Sequence, residues 1–136
     1  MSAGSQALAH RGLGLTLIAA ADVAGGLAEV VAACAADPLS RELLIEAMTL
    51  AQDNGAPAIA LDLLSGASES LAGLGRVRFL EAKALAALGE DAAAAAILTA
   101  GVEVADLREG VNSISELWLQ VCPGQDVPAE YQFSMK

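Results

Sequence analysis

Aromatic residues are scarce in this chain of 136 residues: Phe79, Trp118, Tyr131 and Phe133 are all it has. A strand-rich fold draws on aromatic and β-branched side chains, so their scarcity argues against an all-β domain. Basic residues are few as well, seven Lys and Arg against seventeen Asp and Glu, for a formal charge of −10. A surface so acidic is repelled by phosphate backbones, which excludes nucleic acid as the expected partner. It also carries no polybasic patch for anionic lipid. The two cysteines, Cys34 and Cys122, stand far apart and fit no zinc or CxxC spacing. They read as reduced thiols in a cytoplasmic protein. No apolar run approaches the roughly 18 residues of a membrane-spanning helix. The single histidine, His10, lies near one end and leaves little material for a Ser–His–Asp or Cys–His arrangement.

What the chain has in quantity is alanine and leucine, 31 and 21 residues. Both are strong helix formers, so composition predicts close-packed helices. Val31-Ala32-Ala33-Cys34 resembles a bacterial lipoprotein cleavage box that follows the apolar stretch 12–21. Asp22 and Glu29 lie between the two, and a signal core must be uncharged, so export is not expected. Gly12-Leu13-Gly14 is a fragment of a dinucleotide fingerprint without its third glycine or a preceding strand. Carboxylates such as Glu90-Asp91 suit a helix start, where the dipole favours them. Neither an enzyme nor a cofactor or metal site is predicted.

Internal repetition carries the fold argument. Three segments share one shape, a helix end, a turn and a helix start rich in small residues. They begin at Ala21, Gly55 and Gly89, each 34 residues after the last. Five residues beyond each start stand Gly26, Ala60 and Ala94, and twelve beyond stand Ala33, Ala67 and Gly101. All six are small, as close helix packing requires. Nine beyond stand the larger knobs Val30, Leu64 and Leu98. Asp37-Pro38 closes the first unit of the pattern. An alanine-rich bundle with accidental periodicity is the plainer alternative.

A period of 34 with small residues at these places resembles the tetratricopeptide repeat family over about residues 6–105. The resemblance implies an all-α fold, a right-handed α-solenoid of three helix pairs in a single domain spanning 1–136. Its repeats cover about 6–38, 39–72 and 73–105. Helices are expected over about 6–20, 23–36, 39–53, 57–67, 75–88 and 91–103. Ser68–Leu74, rich in Ser and Gly, reads as a flexible joint. Residues 106–136 leave the pattern as a capping helix and an extended tail. Ser113-x-x-Glu116 matches a capping box and predicts a helix over about 114–121. That helix would place Ile114, Leu117, Trp118 and Val121 on one face, with Pro123-Gly124 as its stop.

A second resemblance lies in Asp106–Gly110 and Ser113–Trp118, with Tyr131–Met135 behind them. These segments look similar to the closing part of large bacterial tetratricopeptide proteins that begin with a β-rich domain linked to carbohydrate. That implies an alternative role, a C-terminal accessory module of a carbohydrate-active enzyme. Val111, Gln132 and Ser134 depart from that pattern.

In a tetratricopeptide array the first helix of each pair lines a concave face. The register assigns to that face Arg11, Leu15, Ile45, Thr49, Arg76, Phe79 and Lys83. The expected function is a non-catalytic scaffold that binds a protein or peptide partner there. A second surface is the apolar start, with Leu8, Leu13, Leu15, Leu17 and Ile18, which lacks a polar capping helix. An uncovered end of that kind should associate, either with a second copy as a homodimer or with further repeats.

Overall fold

The structure is a computed structural model that describes residues 3–100 and 111–128. Every described element is a helix: α1 (Ala3–Ala19), α2 (Val23–Ala36), α3 (Arg41–Asp53), α4 (Pro57–Ser65), α5 (Glu69–Ala72), α6 (Gly75–Ala87), α7 (Asp91–Ala100) and α8 (Val111–Val121). The chain is all-α, as its alanine and leucine content predicts. It divides into two compact units, Met1–Leu71 and Ala72–Lys136.

The three turns expected at 34-residue intervals share one backbone geometry. Ala21, Gly55 and Gly89 all adopt positive φ, at 71°, 76° and 83°. The next residue of each turn, Asp22, Ala56 or Glu90, donates its N–H to the carbonyl five residues back. The acceptors are Leu17 (2.8 Å), Ala51 (2.7 Å) and Leu85 (2.8 Å). This is the Schellman closure, in which a left-handed residue lets the chain satisfy the orphan carbonyls of a helix end. Glycine takes that conformation without steric cost, and at Ala21 an alanine takes it. The following helices begin in register at Val23, Pro57 and Asp91.

Each of those starts is secured by different chemistry. Asp22 accepts a hydrogen bond from Gly25 N–H at 3.1 Å. Pro57 opens α4, where its missing N–H costs nothing and its fixed φ suits a helix. Asp91 puts a carboxylate in the first turn of α7, facing the positive end of the dipole.

In the first unit α1 packs along α2, α2 against α3, and α3 against α4. The α1–α2 approach is set by two glycines. A Cβ on Gly14 would lie 2.8 Å from the Gly26 carbonyl oxygen. One on Gly26 would lie 2.7 Å from the Gly14 carbonyl oxygen and 2.5 Å from Ile18 Cγ1. Ala33, Met48, Ala51 and Ala60 are fully enclosed beside Leu27, Val30 and Leu44. In the second unit α6 packs on α7, and α8 lies against both. Their core gathers Phe79, Ala82, Ala94, Ile97, Leu98, Ile114, Leu117, Trp118 and Val121.

Four of the five small positions of the repeat register that the structure describes are core positions. Gly26, Ala33, Ala60 and Ala94 are buried, while Ala67 is half-buried. Val30 and Leu98 are buried and Leu64 is half-buried. Gly101 lies outside the described residues, as do the 106–110 motif and the segment 131–135.

Ser68–Leu74, the expected joint, holds one helical turn, α5, and the division between the two compact units falls within it, after Leu71. One local expectation is corrected. The Ser113 capping box does not start its helix, because Ser113 already lies inside α8, which is described from Val111 onward. The apolar face expected of that helix is correct. Gly124 adopts φ 84° after its end.

Candidate functional site

The residues assigned to a binding face fare differently. Arg11, on α1, makes a two-pronged contact with Glu46 of α3. Its Nε donates to Oε1 at 2.5 Å and its Nη2 to Oε2 at 2.9 Å. The guanidinium pKa is raised by this hydrogen bond and by the Glu46 charge. Arg11 is therefore already partnered, and it serves to tie α1 to α3. Leu15 and Ile45 are half-buried. The Thr49 hydroxyl donates within its own helix to the Ile45 carbonyl at 2.7 Å. Phe79 is not on a solvent face: it is 9 % exposed and belongs to the core of the second unit. An aromatic ring has more area to shelter than any neighbour in this alanine-rich helix, and the core takes it. Arg76 is half-buried and Lys83 exposed. Arg78 pairs with Glu81, one turn on, at 3.0 Å.

His10 is partnered too. Its Nδ1 donates to Glu29 Oε2 at 2.6 Å and joins α1 to α2. Cys34 and Cys122 are free thiols. Cys34 donates weakly to the Leu43 carbonyl at 3.5 Å. Burial, helped by the nearby Glu46 charge, pushes its pKa up to about 11, so the thiol stays protonated at neutral pH. A nucleophilic cysteine needs the opposite shift. Among the described residues no three of His, Cys, Asp and Glu gather closely enough to share a metal ion. No helix among them is long and apolar enough to cross a membrane.

Two surfaces of the first unit are open and formed. One is an apolar groove of about 520 Å³ between α2, α4 and the turn at Asp37–Ser40. Leu27, Val31, Leu44, Ile59 and Leu63 line it, with Cys34 at one wall and Asp37 and Asp62 as its carboxylates. The other is a polar depression of about 570 Å³ beside the Arg11–Glu46 pair, bordered by Ser5, Ser40 and Glu42. Asp37 and Ser40 belong to both, so the two adjoin across one turn. A third surface is the outer face of α1, where Leu8 is 65 % and Leu13 is 48 % exposed. A Cβ at Gly12 on this face would meet nothing within 4 Å.

The sequence register singled out Arg11 and the apolar α1 face as candidate surfaces, and it did not single out the apolar groove. A signal for it was present. α2 reads Val-Ala-Gly-Gly-Leu-Ala-Glu-Val-Val-Ala-Ala-Cys-Ala-Ala, with Glu29 its only charged residue. A helix apolar on every side asks for cover on every side. Here Ala24, Ala28, Val31 and Ala35 remain exposed.

Comparison with known protein families, curated proteins and solved structures finds no match for this chain.

Proposed function

We propose that the chain is a non-catalytic, tetratricopeptide-like scaffold that binds a protein partner. One observation carries this reading, the recurrence of the same left-handed turn at Ala21, Gly55 and Gly89 with identical closing hydrogen bonds. A 34-residue repeat of turn geometry, with enclosed small residues five places further on, is what a helix–turn–helix array needs. The unassisted thiol of Cys34 and the engagement of His10 by Glu29 support a role other than catalysis. Two free thiols fit work in the cytoplasm, a reducing compartment. In this reading α8 packs on the third pair with Trp118, and the partner meets the concave face or the exposed apolar face of α1.

Two pairs of charge changes separate those surfaces. Arg76→Glu with Lys83→Glu alters the concave face of the third pair. Leu8→Asp with Leu13→Asp alters the α1 end, at side chains already in water. Immobilised wild-type chain in extract of the source cell should retain a partner that one of the two variants releases. Retention by both variants would remove both surfaces from the reading. An absence of any partner for the wild type would overturn the scaffold itself.

A further inference from the structure

The apolar groove of the first unit has the form of a docking site, and its surroundings define what fits. Along α2 it runs from Ala24 to Ala35. At 1.5 Å per residue that is about 16 Å, or three helical turns. Its floor is made where small residues stand beside large ones: Ala24, Ala28 and Ala35 leave the space that Leu27, Val31 and Leu63 border. An elongated apolar trough of three turns accepts the i, i+3/i+4, i+7 side chains of an amphipathic helix. Cys34 contributes to it as a neutral thiol, an apolar wall.

Charge fixes the other half of the partner. Asp37 and Asp62 border the trough, and neither carboxylate has an ion pair among the described residues. The first unit holds eight carboxylates and two arginines. Both arginines already face carboxylates, Arg11 at Glu46 and Arg41 at Glu42, the latter at 4.0 Å. The field over the groove is therefore negative. A second copy of this chain, itself at −10, is repelled from it.

We propose that this groove docks a cationic amphipathic helix of a partner protein. Leucine-like anchors would enter between α2 and α4, and Lys or Arg at the ends would meet Asp37 and Asp62. The groove lies wholly in the first unit, so the proposal stands apart from the repeat reading and uses neither the concave face nor the α1 end.

The test is a titration of the whole chain with a fluorescent helical peptide of about 14 residues built from Leu and Lys, with a Leu and Glu peptide of the same pattern as control. Wild type should bind the Lys peptide with micromolar affinity and leave the Glu peptide free. Asp37→Asn with Asp62→Asn keeps the shape and should weaken binding about five-fold, as two partly exposed charges allow. Ala28→Trp fills the trough from an exposed position and should abolish it. Amide NMR shifts on binding should gather on α2 and α4. Equal binding of both peptides, full binding by Ala28→Trp, or shifts centred on α6–α8 would each overturn the proposal. So would a wild-type dimer in light scattering that Ala28→Trp dissolves, since a second copy would then occupy the groove. Failure here leaves the scaffold reading standing, because that reading is judged by the surface variants above.

Discussion

Ala21 does with a side chain what Gly55 and Gly89 do without one. The left-handed conformation brings an L-residue's Cβ against its own backbone, at roughly 1–2 kcal/mol. Ala21→Gly should therefore stabilise the chain by about 1 kcal/mol, while Gly55→Ala and Gly89→Ala should each cost about as much. Urea denaturation followed by circular dichroism measures all three. A destabilised Ala21→Gly would mean that the turn is held by something other than its φ. A second residue-scale expectation concerns Cys34, whose thiol is pushed up to about 11 by burial first and Glu46 second. Alkylation mapped to its peptide should stay slow at pH 8 and rise only toward pH 11. The folded chain then holds this proton at pH values where the unfolded chain has released it. Stability must fall as pH climbs from the ordinary thiol range through 11, and this thiol takes nothing from stability below that range.

Between helices, contact distance decides. The glycines of α1 make a natural pair of experiments with the glycine opposite them. Gly26→Ala would set a Cβ 2.7 Å from the Gly14 backbone oxygen, which cannot step aside as a side-chain tip can. It should cost about 1–3 kcal/mol in chemical denaturation. Gly12→Ala meets nothing within 4 Å and should add about 0.5–1 kcal/mol, because alanine is the better helix former. Ala60→Leu, at a fully enclosed position, should cost about 1–3 kcal/mol by overpacking. The sequence was informative at this scale because helix ends are local events. The turns at Ala21, Gly55 and Gly89 and the stop at Pro123-Gly124 follow from neighbouring residues, and the structure has them there. Phe79 was not legible in the same way. The register places it among groove positions, but α7 and α8 decide its burial and they come later in the chain. The trough on α2 escaped for the same reason: exposure depends on which faces other helices leave bare. α5 escaped because four residues are too few to show a period.

Taken whole, the chain is a negatively charged object held together by packing. Seventeen carboxylates against seven Lys and Arg leave most acids without a basic counterpart. The cross-helix ties Arg11–Glu46 and His10–Glu29 are partly exposed, and Arg78–Glu81 lies within one helix. Salt weakens such pairs, yet it also screens repulsion among the surplus carboxylates, and the two effects oppose each other. Exposed pairs contribute about 0–1 kcal/mol each, and few are present among the described residues. Repulsion acts among many charges over distances that a Debye length of about 8 Å at physiological salt cuts off. Screening should win. The thermal midpoint at neutral pH should rise by a few degrees as sodium chloride goes from about 10 mM to about 300 mM. The same salt should loosen a cationic helix from the groove of the first unit, since that attraction is the one the surplus charge creates. A chain that gains stability with salt while losing its partner would show one charge imbalance acting in both directions. A midpoint that falls with salt would mean that the Arg11–Glu46 tie contributes more than its exposure allows.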